Sequence, residues 1–496
     1  MTDFSVVIPT LARPSLGTLL DALAADPGPP PAQVVVVDDR RRPDGMLLSR
    51  TGLPVDVLRS GGRGPAAARN VGWRHTDTRW VCFIDDDVVP QPGWLAALVA
   101  DLEAAQAQDA AGSQATLEVP AVAGRRATDD ERRTQRLADA QWITADMAYL
   151  RSALVAVGGF DERFPRAYRE DSDLALRVVR SGGRICRGTR RSTHPVAAAT
   201  PMSSVRAQRG NRDNALMRRK HGRRWRAQIG EGRGRLPAHL LTTAAAGLAV
   251  LTAATGHRRG CAIAAAAWAA LTAEFAARRI LAGPRTPADI AALALSSVLI
   301  PPVAVAHRAA GQWQFRRAQA DPPLAVLFDR DDTIIDDGPF LRDPAGVCPK
   351  PGAAQGLAEL RTKGLLLGVV TNQSGVARGL ITEQELRAVN ARVESVLGPF
   401  DEWQVCTHDT QDGCACRKPR PGMVLDAAAA LGVDPRRCVM IGDTGGDVEA
   451  ALAAQARAVL VPTARTRAEE IADARLRARV APNLRAAINM VLRECR

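Results

Sequence analysis

The sequence predicts an α/β protein with two separate parallel-sheet domains, joined by an Ala-rich helical linker for which membrane association is expected. Three observations support this class. Apolar runs such as FSVVIPT and LAVLFD do not alternate with polar residues, which is typical of strands buried on both faces of a parallel sheet. Ala- and Leu-rich helical stretches separate such runs near both ends of the chain. At 496 residues the chain is also too long for one typical domain.

Polar side chains end successive strands in the C-terminal third. Asp329 ends LAVLFD and Asp331 follows two residues later, so an extended chain would direct both carboxylates into one crevice. Thr371 ends LLLGVVT, Lys418 adds a fixed positive charge and Asp443 follows CVMIG. One carboxylate can attack phosphorus while the other protonates the leaving oxygen, provided that a cation offsets their repulsion. A lone acidic pair is usually only solvated, but this ordered set predicts Mg²⁺-dependent phosphoryl transfer through an aspartyl-phosphate.

The motifs DRD, VVTNQSGVARG and CRKPRPGM resemble those of the haloacid dehalogenase (HAD) superfamily. Within it they look like the histidinol-phosphate and D-glycero-D-manno-heptose-1,7-bisphosphate phosphatase group, over about residues 322–480. The resemblance implies a HAD Rossmann-like fold, with Asp329 as nucleophile and Asp331 as general acid and base. It also implies that Thr371 and Lys418 stabilise the phosphoryl group. A heptose bisphosphate is the preferred substrate and histidinol phosphate is the alternative.

The same resemblance implies the metal and substrate contacts. Mg²⁺ would be held by Asp329, Asp331 (through its carbonyl) and Asp443. The residues implied to line the substrate are Arg330, Asn372, Gln373, Ser374 and Arg417. The family usually has Gly after the second Asp, where this chain has Asp332. Asp tolerates left-handed backbone angles better than most residues, so activity is compatible with this change, although the extra carboxylate could weaken phosphate binding.

Cys406, His408, Cys414 and Cys416 form a C-x-H…C-x-C pattern. Three thiolates and one imidazole satisfy tetrahedral Zn²⁺, and closed four-ligand sites of this kind are structural rather than catalytic. The alternative is a set of free buried cysteines, but the four residues crowd one short polar loop that is a poor candidate for core. The zinc would brace the loop that delivers Lys418.

Acidic residues also end strands in the N-terminal half. FSVVIPT, QVVVVDD and WVCFIDDD alternate with helical stretches, which predicts a second parallel sheet. Asp85, Asp86 and Asp87 are adjacent, and three neighbouring carboxylates cost Coulomb energy unless a cation or solvent offsets it. One interpretation is a divalent metal that bridges a nucleotide diphosphate, and the other is an acidic surface turn.

The segments VVIPT, VVVVDD, GPAAARNVGW, FIDDDVVPQPGWL and YREDSDLALRVVRSGG occur in the order seen in family 2 glycosyltransferases. This resemblance spans about residues 3–225 and implies the GT-A nucleotide-sugar fold, with metal-dependent glycosyl transfer from a nucleotide sugar. The nucleotide-sugar contacts that it implies are Pro9, Asp38, Asp39, Arg69 and Asp85. Asp87 would be the direct Mn²⁺ or Mg²⁺ ligand, with His194 as a further ligand. Asp171, with Glu170 close by, would deprotonate the acceptor hydroxyl in an inverting transfer.

The segment between the two halves is first basic and then apolar. Residues 206–235 are rich in arginine, which suggests an anionic membrane surface or nucleic acid. Leu236–Gly256 follows without Asp, Glu, Lys or Arg, and as a helix it would be about 32 Å long, close to the hydrocarbon thickness of a bilayer. A membrane partner is therefore expected and a nucleic-acid partner is not, because no aromatic interleaving accompanies the charge.

Two further apolar stretches follow. GCAIAAAAWAALTAEFAA is interrupted by Glu274, and IAALALSSVLIPPVAVA is expected to break at Pro301 and Pro302. Nucleotide sugars and sugar phosphates are cytosolic, so both catalytic domains should face the cytosol and the number of crossings should be even. A two-helix membrane hairpin with an interfacial segment fits these conditions, and buried helices of a soluble linker domain are the alternative.

These expectations combine into a bifunctional enzyme of three parts. Residues 1–225 form the glycosyltransferase domain, residues 226–320 the basic then apolar linker, and residues 321–496 the phosphatase domain with its zinc loop. The expected location is the cytosolic face of the membrane, because no secretory leader precedes FSVVIPT and the other cysteines show no pairing logic. The rival hypothesis keeps one half as a non-catalytic binding module.

Overall fold

A computed structural model gives the fold and describes residues 2–43, 45, 52–121, 123–196, 200, 202–336 and 340–495. The chain divides into two compact units. The first unit comprises Met1–Leu154 and Gly159–Arg317, and the second comprises Val155–Gly158 and Ala318–Arg496. Each unit contains one β-sheet with helices packed on it, which confirms the predicted α/β class.

The first unit contains a mixed eight-stranded sheet. Its strands are β1 (Phe4–Thr10), β2 (Gln33–Asp38), β3 (Asp56–Arg59), β4 (Trp80–Ile84), β5 (Val89–Pro90), β6 (Gly112–Glu118), β7 (Asp146–Leu150) and β8 (Ile185–Thr193). Their order is β3-β2-β1-β4-β7-β6-β8-β5. The runs that predicted a parallel sheet are β1, β2 and β4, and these strands do pair in parallel. The sheet becomes antiparallel at β7, which opposes both β4 and β6.

The first unit also contains shorter helices. They are α1 (Ser15–Ala25), α2 (Pro65–His75), α3 (Trp94–Ala107), α4 (Asp129–Gln135), α5 (Arg151–Val157), α6 (Glu170–Arg180), α7 (Ser203–Arg206), α8 (Gly210–His221) and α9 (Trp225–Gln228). The core lies where Leu19 and Leu20 of α1 and Leu98 of α3 meet Val6 and Ile8 of β1. All seven residues of β1 are buried, so the strand fixes the position of the loop that follows it.

Three long helices close the first unit: α10 (Leu236–Ala254), α11 (Arg258–Ala282) and α12 (Pro287–Gln314). All three are long and apolar enough to cross a membrane, with mean hydropathy of 1.5, 1.5 and 1.9. The predicted break at Pro301 and Pro302 was wrong, because α12 continues through both prolines. Ile300 and Pro301 are buried and α12 packs against α8, so tertiary contacts offset the two hydrogen bonds that the prolines omit.

Part of the basic stretch is structural. The Lys220 ammonium, on α8, lies 2.6 Å from Asp161 Oδ2 and 2.5 Å from Asp173 Oδ1. His221 Nε2 lies 2.7 Å from the same Asp173 oxygen. Lys220 and His221 are almost fully buried, so these charges hold α8 against α6 rather than facing a polyanion. Helix α8 thereby braces the helix that carries Asp171.

The second unit contains a six-stranded sheet that is parallel in every described pairing. Its strands are β9 (Ala325–Phe328), β10 (Leu366–Asn372), β11 (Glu402–Cys406), β12 (Cys438–Gly442), β13 (Arg457–Leu460) and β14 (Arg479–Val480), in the order β11-β10-β9-β12-β13-β14. Strand β9 is central and pairs with β10 and β12, so the carboxyl ends of these three strands lie side by side. This arrangement is where ligands of open parallel sheets bind.

Helices cover both faces of this second sheet. They are α13 (Ala353–Thr362), α14 (Glu383–Leu397), α15 (Gly422–Ala430), α16 (Gly445–Ala453), α17 (Ala468–Arg477) and α18 (Leu484–Glu494). Successive residues of a strand point to opposite faces. Val326 and Phe328 therefore enter the core beneath α13, α14 and α18, while Ala325 and Leu327 enter the core beneath α15 and α16.

Candidate active sites

Three carboxylates meet at the carboxyl ends of the central strands of the second unit. Asp329, Asp443 and Asp447 each offer an oxygen within 4.8 Å of the others. Asp329 and Asp443 were predicted from their positions at strand ends. Asp447 was missed, although its signal is the second acidic residue of GDTGGD. It lies in the first turn of α16, where its Oδ2 accepts hydrogen bonds from the backbone N–H and hydroxyl of Thr444.

A buried lysine compensates this acidic cluster. Lys418 Nζ lies 2.9 Å from Asp329 Oδ1 and 2.6 Å from Asp447 Oδ1, and it donates a hydrogen bond to the Val370 carbonyl at 2.7 Å. Although burial opposes the charged form, the two carboxylates raise the pKa of Lys418 above its ordinary value. The amide of Asn372 donates to the Lys418 carbonyl and accepts from the Lys418 N–H. Asn372, predicted to line the substrate, therefore holds the backbone of Lys418.

The carboxyl groups are poised to exchange a proton for a cation. Burial raises the pKa of Asp329 to about 8 against the opposing charge of Lys418, and the charges of Asp447 and Asp331 act in the same direction as burial. Burial also raises the pKa of Asp443 to about 7, with further contributions from Asp447 and Asp332. Buried carboxylates at this spacing are the oxygen ligands that Mg²⁺ takes, and a divalent cation would offset the repulsion that raises both pKa values.

Asp331 is fixed from its buried side. Arg330 donates from Nε to Asp331 Oδ1 at 2.9 Å and from its NH2 group to Oδ2 at 3.0 Å, and the Gln373 amide donates to Oδ2 at 2.6 Å. The Gln373 amide also donates to the Thr371 hydroxyl at 2.9 Å. Arg330 is 1% exposed and donates to Asn390 Oδ1 of α14 at 2.7 Å. Arg330 was predicted to contact substrate, but its guanidinium groups are directed at Asp331 and Asn390.

Asp332 has the left-handed conformation that its position requires, with φ at +53°. Lys350 Nζ lies 3.3 Å from its Oδ1, and an Arg465 guanidinium nitrogen lies 3.4 Å from its Oδ2. The extra carboxylate is therefore paired with two cations. This pairing reduces the negative charge that would otherwise oppose a phosphate at the mouth of the site.

The remaining predicted substrate residues lie around β10 and the loop after β11. Ser374 is partly buried directly after Gln373, and Arg417 is partly buried before Lys418. The Arg417 guanidinium donates to the His408 carbonyl at 3.1 Å, which ties it to the cysteine-containing loop.

The predicted zinc ligands converge. Cys416 Sγ lies 3.4 Å from Cys406 Sγ, 3.4 Å from Cys414 Sγ and 3.3 Å from His408 Nδ1. Cys406 Sγ lies 3.7 Å from both Cys414 Sγ and His408 Nδ1. A tetrahedral zinc with Zn–S bonds of about 2.3 Å requires ligand separations of about 3.7 Å, close to these values. Burial raises the pKa of the Cys406 thiol to about 12, with the neighbouring Cys416 adding to the effect, so a metal would have to displace that proton.

In the first unit, a buried arginine joins two acidic elements. Arg69 of α2 lies 2.6 Å from Asp85 Oδ1 after β4 and 2.9 Å from Glu170 Oε1 at the start of α6. Arg69 is 2% exposed. Although burial opposes its charge, Asp85 and Glu170 raise the pKa of Arg69. Arg69 was predicted to contact the nucleotide, and in this structure its guanidinium links the Asp85 loop to the helix that carries Asp171.

The predicted catalytic base, Asp171, is partly buried and follows the buried Glu170 in the chain. Asp171 Oδ1 accepts hydrogen bonds from the N–H of Ser172 at 2.6 Å and from the Ser172 hydroxyl at 3.2 Å. Burial raises the pKa of Asp171, and burial together with the Asp171 charge raises the pKa of Glu170 to about 8. A carboxylate with a raised pKa is a stronger base near neutral pH.

The other predicted nucleotide contacts surround the ends of β1 and β2. Pro9 is buried within β1. Asp38 is 2% exposed and pairs with Arg40, whose guanidinium lies 2.8 Å from Asp38 Oδ2. Asp39 accepts hydrogen bonds from the Ser60 hydroxyl at 2.7 Å and from a backbone N–H of the loop before α2.

The last predicted ligands lie together. His194 Nε2 is 4.0 Å from Asp87 Oδ1, at the end of β8. Arg13 was not predicted, and its guanidinium is 2.5 Å from Asp87 Oδ2 and 3.2 Å from Asp86 Oδ1. The Thr10 hydroxyl donates to the other Asp86 oxygen at 2.6 Å. The structure thus brings Asp87 and His194 close together, and their role as ligands of one metal stays a prediction.

Two segments of the chain match known families in sequence. Residues 5–149 match Glycosyl transferase family 2, and residues 415–487 match the HAD-hydrolase-like family. The D-glycero-beta-D-manno-heptose-1,7-bisphosphate 7-phosphatase of Pseudomonas putida is 36% identical over 143 residues, which cover 28% of this chain and 82% of that protein. The corresponding phosphatase of Pseudomonas aeruginosa is also 36% identical over 143 residues, covering 28% of this chain and 80% of its own.

Solved structures with similarity to this chain were also found. The D,D-heptose 1,7-bisphosphate phosphatase of B. bronchiseptica, complexed with magnesium and phosphate, has a TM-score of 0.32 and 32% identity. The match covers 34% of this chain and 99% of that one. S. aureus TarS has a TM-score of 0.29 and 20% identity, covering 43% of this chain and 40% of that one.

The fold and the two sites define an enzyme with two catalytic domains, one for phosphate-ester hydrolysis and one for glycosyl transfer. The chain belongs to the HAD phosphatase family of these heptose-bisphosphate phosphatases, with a family 2 glycosyltransferase domain at its N-terminus. The predicted family assignment and enzyme class are confirmed.

The raised pKa values predict a pH-dependent metal affinity. In the metal-free protein the Asp329 and Asp443 carboxyls, with pKa values of about 8 and 7, keep protons that a cation must displace. Between pH 6 and 8 we expect the affinity for Mg²⁺ to rise at least about tenfold, since each displaced proton contributes up to tenfold per pH unit. Calorimetric titration of the full chain, carrying Asp87→Asn to weaken the other predicted metal site, measures it.

The raised pKa values of Asp329 and Asp443 also make the stability of the folded protein depend on pH. A carboxyl with a raised pKa favours the folded state at low pH, and this contribution is lost as the pH rises through the folded-state pKa. Metal-free protein should therefore lose stability between about pH 5 and 8, and Mg²⁺ should restore it. An affinity that does not change with pH would contradict the assignment of Asp329 and Asp443 as ligands.

Proposed function

We propose that the second unit is a Mg²⁺-dependent sugar-phosphate phosphatase. The observation that carries this proposal is the buried set of Asp329, Asp443 and Asp447 around Lys418, at the carboxyl ends of adjacent parallel strands. Asp329, Asp443 and Asp447 would hold Mg²⁺, and the bound cation would offset negative charge on the phosphoryl group. The carbonyl contact predicted for Asp331 belongs to the same proposal.

The chemistry proposed for these residues has two steps. An oxygen of Asp329 attacks phosphorus, the bond from phosphorus to the ester oxygen breaks, and Asp331 gives its proton to that leaving oxygen. Water then attacks the aspartyl-phosphate while Asp331 takes up a proton, which releases phosphate and restores both carboxyl groups. The Lys418 ammonium, 2.9 Å from Asp329, and the Thr371 hydroxyl stabilise the charge on the transferring group.

The substrate proposed first is D-glycero-D-manno-heptose 1,7-bisphosphate, hydrolysed at the 7-phosphate. This proposal is supported by the sequence identity between the second unit and phosphatases that bear that name. A glycosyltransferase domain in the same chain favours a sugar over the alternative, histidinol phosphate.

We infer that the first unit transfers a sugar from a nucleotide donor with the help of Mn²⁺ or Mg²⁺. Asp87 and His194 would hold the cation, and a bound cation would offset charge on the donor diphosphate. Asp171 would accept the proton of the acceptor hydroxyl as that oxygen attacks the sugar carbon and the bond to the diphosphate breaks. Arg69 contacts both Asp85 and Glu170, so it would keep these two carboxylates at a fixed separation during the reaction.

Membrane attachment is proposed for the linker, within a three-part organisation of residues 1–225, 226–320 and 321–496. Helices α10 and α11 pack against each other, and only 11% of each apolar window is buried, compared with 28% for α12. Helix α12 also packs against α8. We infer that α10 and α11 form the membrane hairpin while α12 stays against the enzyme domain, which keeps the number of crossings even. Both domains then lie at the cytosolic face.

Point substitutions should separate the two activities. Asp329→Asn removes the nucleophile and should reduce phosphate release from sugar phosphates at least about 1,000-fold, while glycosyl transfer is unchanged. Asp171→Asn should have the opposite effect. Phosphate release from a sugar-phosphate panel and hydrolysis or transfer of nucleotide sugars measure both. If wild type releases no more phosphate than Asp329→Asn on every substrate, this half is a non-catalytic binding module.

Loss of the zinc ligands should lower phosphatase activity indirectly. Cys414→Ser and Cys416→Ser each remove a ligand of the proposed zinc site, so metal analysis should find less zinc per chain than in wild type. The turnover number should fall because the loop that delivers Lys418 loses its brace. Cys348→Ser is the matched control, since Cys348 is an exposed cysteine outside the cluster. Unchanged zinc content in both cluster variants would contradict the site.

Charged residues on the hairpin should release the protein from membranes. Leu248 and Leu251 are 51% and 60% exposed on α10, and Asp at both positions would cost about 5 kcal/mol or more in the bilayer core. We expect the double variant to shift from the membrane fraction to the soluble fraction in liposome flotation. Val57→Asp is the control, since Val57 is 46% exposed on β3 outside the hairpin. Equal flotation of all three proteins would contradict the hairpin.

A further inference from the structure

Arg13 contacts the acidic run after β4, which consists of Asp85, Asp86 and Asp87. The glycosyl transfer proposed above gives Arg13 no role. Its guanidinium is 2.5 Å from Asp87 Oδ2 and 3.2 Å from Asp86 Oδ1. A positive group therefore lies between the second and third carboxylates of the run, next to the predicted metal ligand Asp87. Adjacent carboxylates repel one another, so a cation at this position stabilises the run in the nucleotide-free protein.

The backbone of Arg13 is fixed while its side chain is accessible. The Thr10 hydroxyl accepts a hydrogen bond from the N–H of Ala12 and donates one to Asp86 Oδ2, which ties the loop after β1 to the acidic run. The Arg13 carbonyl accepts a hydrogen bond from the N–H of Leu16 at the start of α1. The Arg13 side chain is nevertheless 50% exposed. The loop thus presents a guanidinium that can move without unfolding its surroundings.

Arg69 gives the contrast. It also contacts this run, through Asp85, but it is 2% exposed and is held on its other side by Glu170. Moving Arg69 would leave the buried Glu170 carboxylate without its partner, which is strongly destabilising. Among the described residues, the Arg13 guanidinium contacts Asp86, which is buried but also accepts a hydrogen bond from Thr10, and Asp87, which is partly exposed. Asp86 therefore keeps a partner when Arg13 moves, and solvent can replace Arg13 at Asp87.

We propose that Arg13 occupies the cation position between Asp86 and Asp87 in the nucleotide-free protein, and moves to the donor's diphosphate when a divalent cation takes this position. This inference rests on the proposed nucleotide-sugar function. A guanidinium suits the second role because its N–H groups match phosphate oxygens in pairs. Arg13 is then a competitor of the metal before the donor binds and a ligand of the donor afterwards.

The two roles predict changes of opposite sign for Arg13→Gln. Without nucleotide, Mn²⁺ should bind the variant more tightly than wild type, by about tenfold, since one charge-assisted interaction no longer competes. With Mn²⁺ present, nucleoside diphosphates should bind about tenfold more weakly, because a charge-assisted contact is lost. Nucleoside monophosphates lack the second phosphate and should bind both proteins equally.

The experiment uses the full chain with Asp443→Asn as the common background, which removes a proposed metal ligand of the other unit. Mn²⁺ binding is followed by electron paramagnetic resonance of the free ion, and binding of UDP, GDP and dTDP with Mn²⁺ by calorimetry. Asp87→Asn defines the part of the Mn²⁺ signal that belongs to this site. Arg13→Lys keeps the charge and should show smaller changes of both kinds. Arg125→Gln is the matched control, an arginine paired with Glu131 outside the site.

The outcomes distinguish this inference from the function on which it rests. Tighter Mn²⁺ binding together with weaker diphosphate binding by Arg13→Gln supports the exchange. Mn²⁺ binding that is unchanged or weaker in Arg13→Gln overturns the competitor role, and equal diphosphate binding overturns the ligand role. If wild type binds none of the three diphosphates with Mn²⁺, the donor assignment itself fails, and the diphosphate role of Arg13 fails with it.

Discussion

The contact of Lys418 with Asp329 and Asp447 is the interaction on which the phosphatase site depends. Three carboxylates that end up buried within 4.8 Å of one another would repel strongly without a fixed positive charge. Lys418 supplies that charge from a loop, 2.9 Å from one carboxylate and 2.6 Å from another. The loop in turn is held by Asn372 and by the cluster of cysteines and histidine. Much of the architecture around β10 and β11 therefore serves to position one ammonium group.

In the first unit, arginines rather than a lysine compensate the charge of neighbouring carboxylates. Arg69 is buried between Asp85 and Glu170, and Arg13 lies at the exposed edge of the acidic run. Each guanidinium contacts two carboxylates, but Arg69 is 2% exposed whereas the Arg13 side chain is 50% exposed. This difference in burial separates a positioning role for Arg69 from the exchange proposed for Arg13. It also places the less replaceable cation next to the helix that carries Asp171.

Residues at strand ends could be predicted from the sequence, because a buried apolar run followed by a polar residue defines both the strand and its end. Asp329, Thr371, Asp443 and Asp85 were found in this way. Asp447 and Asn390 lie on helices, where no strand end marks them, and Arg13 lies three residues beyond Thr10, the last residue of β1. Their roles arise from contacts with residues distant in the chain, such as Arg330 with Asn390. Periodicity carries no information about such contacts.

The sequence by itself determined the class of fold, the two families and the enzyme class, because motifs such as DRD, CRKPRPGM and FIDDDVVP occur in the order typical of those families. Only the tertiary structure decided what each charged group contacts. It paired Arg330, which was predicted to contact substrate, with Asp331, and it paired Asp332 with Lys350 and Arg465. It also showed that α12 continues through Pro301 and Pro302, where a break was predicted. The physical reason is common to these cases: pairing energies and packing depend on distances between elements, and local sequence patterns do not encode those distances.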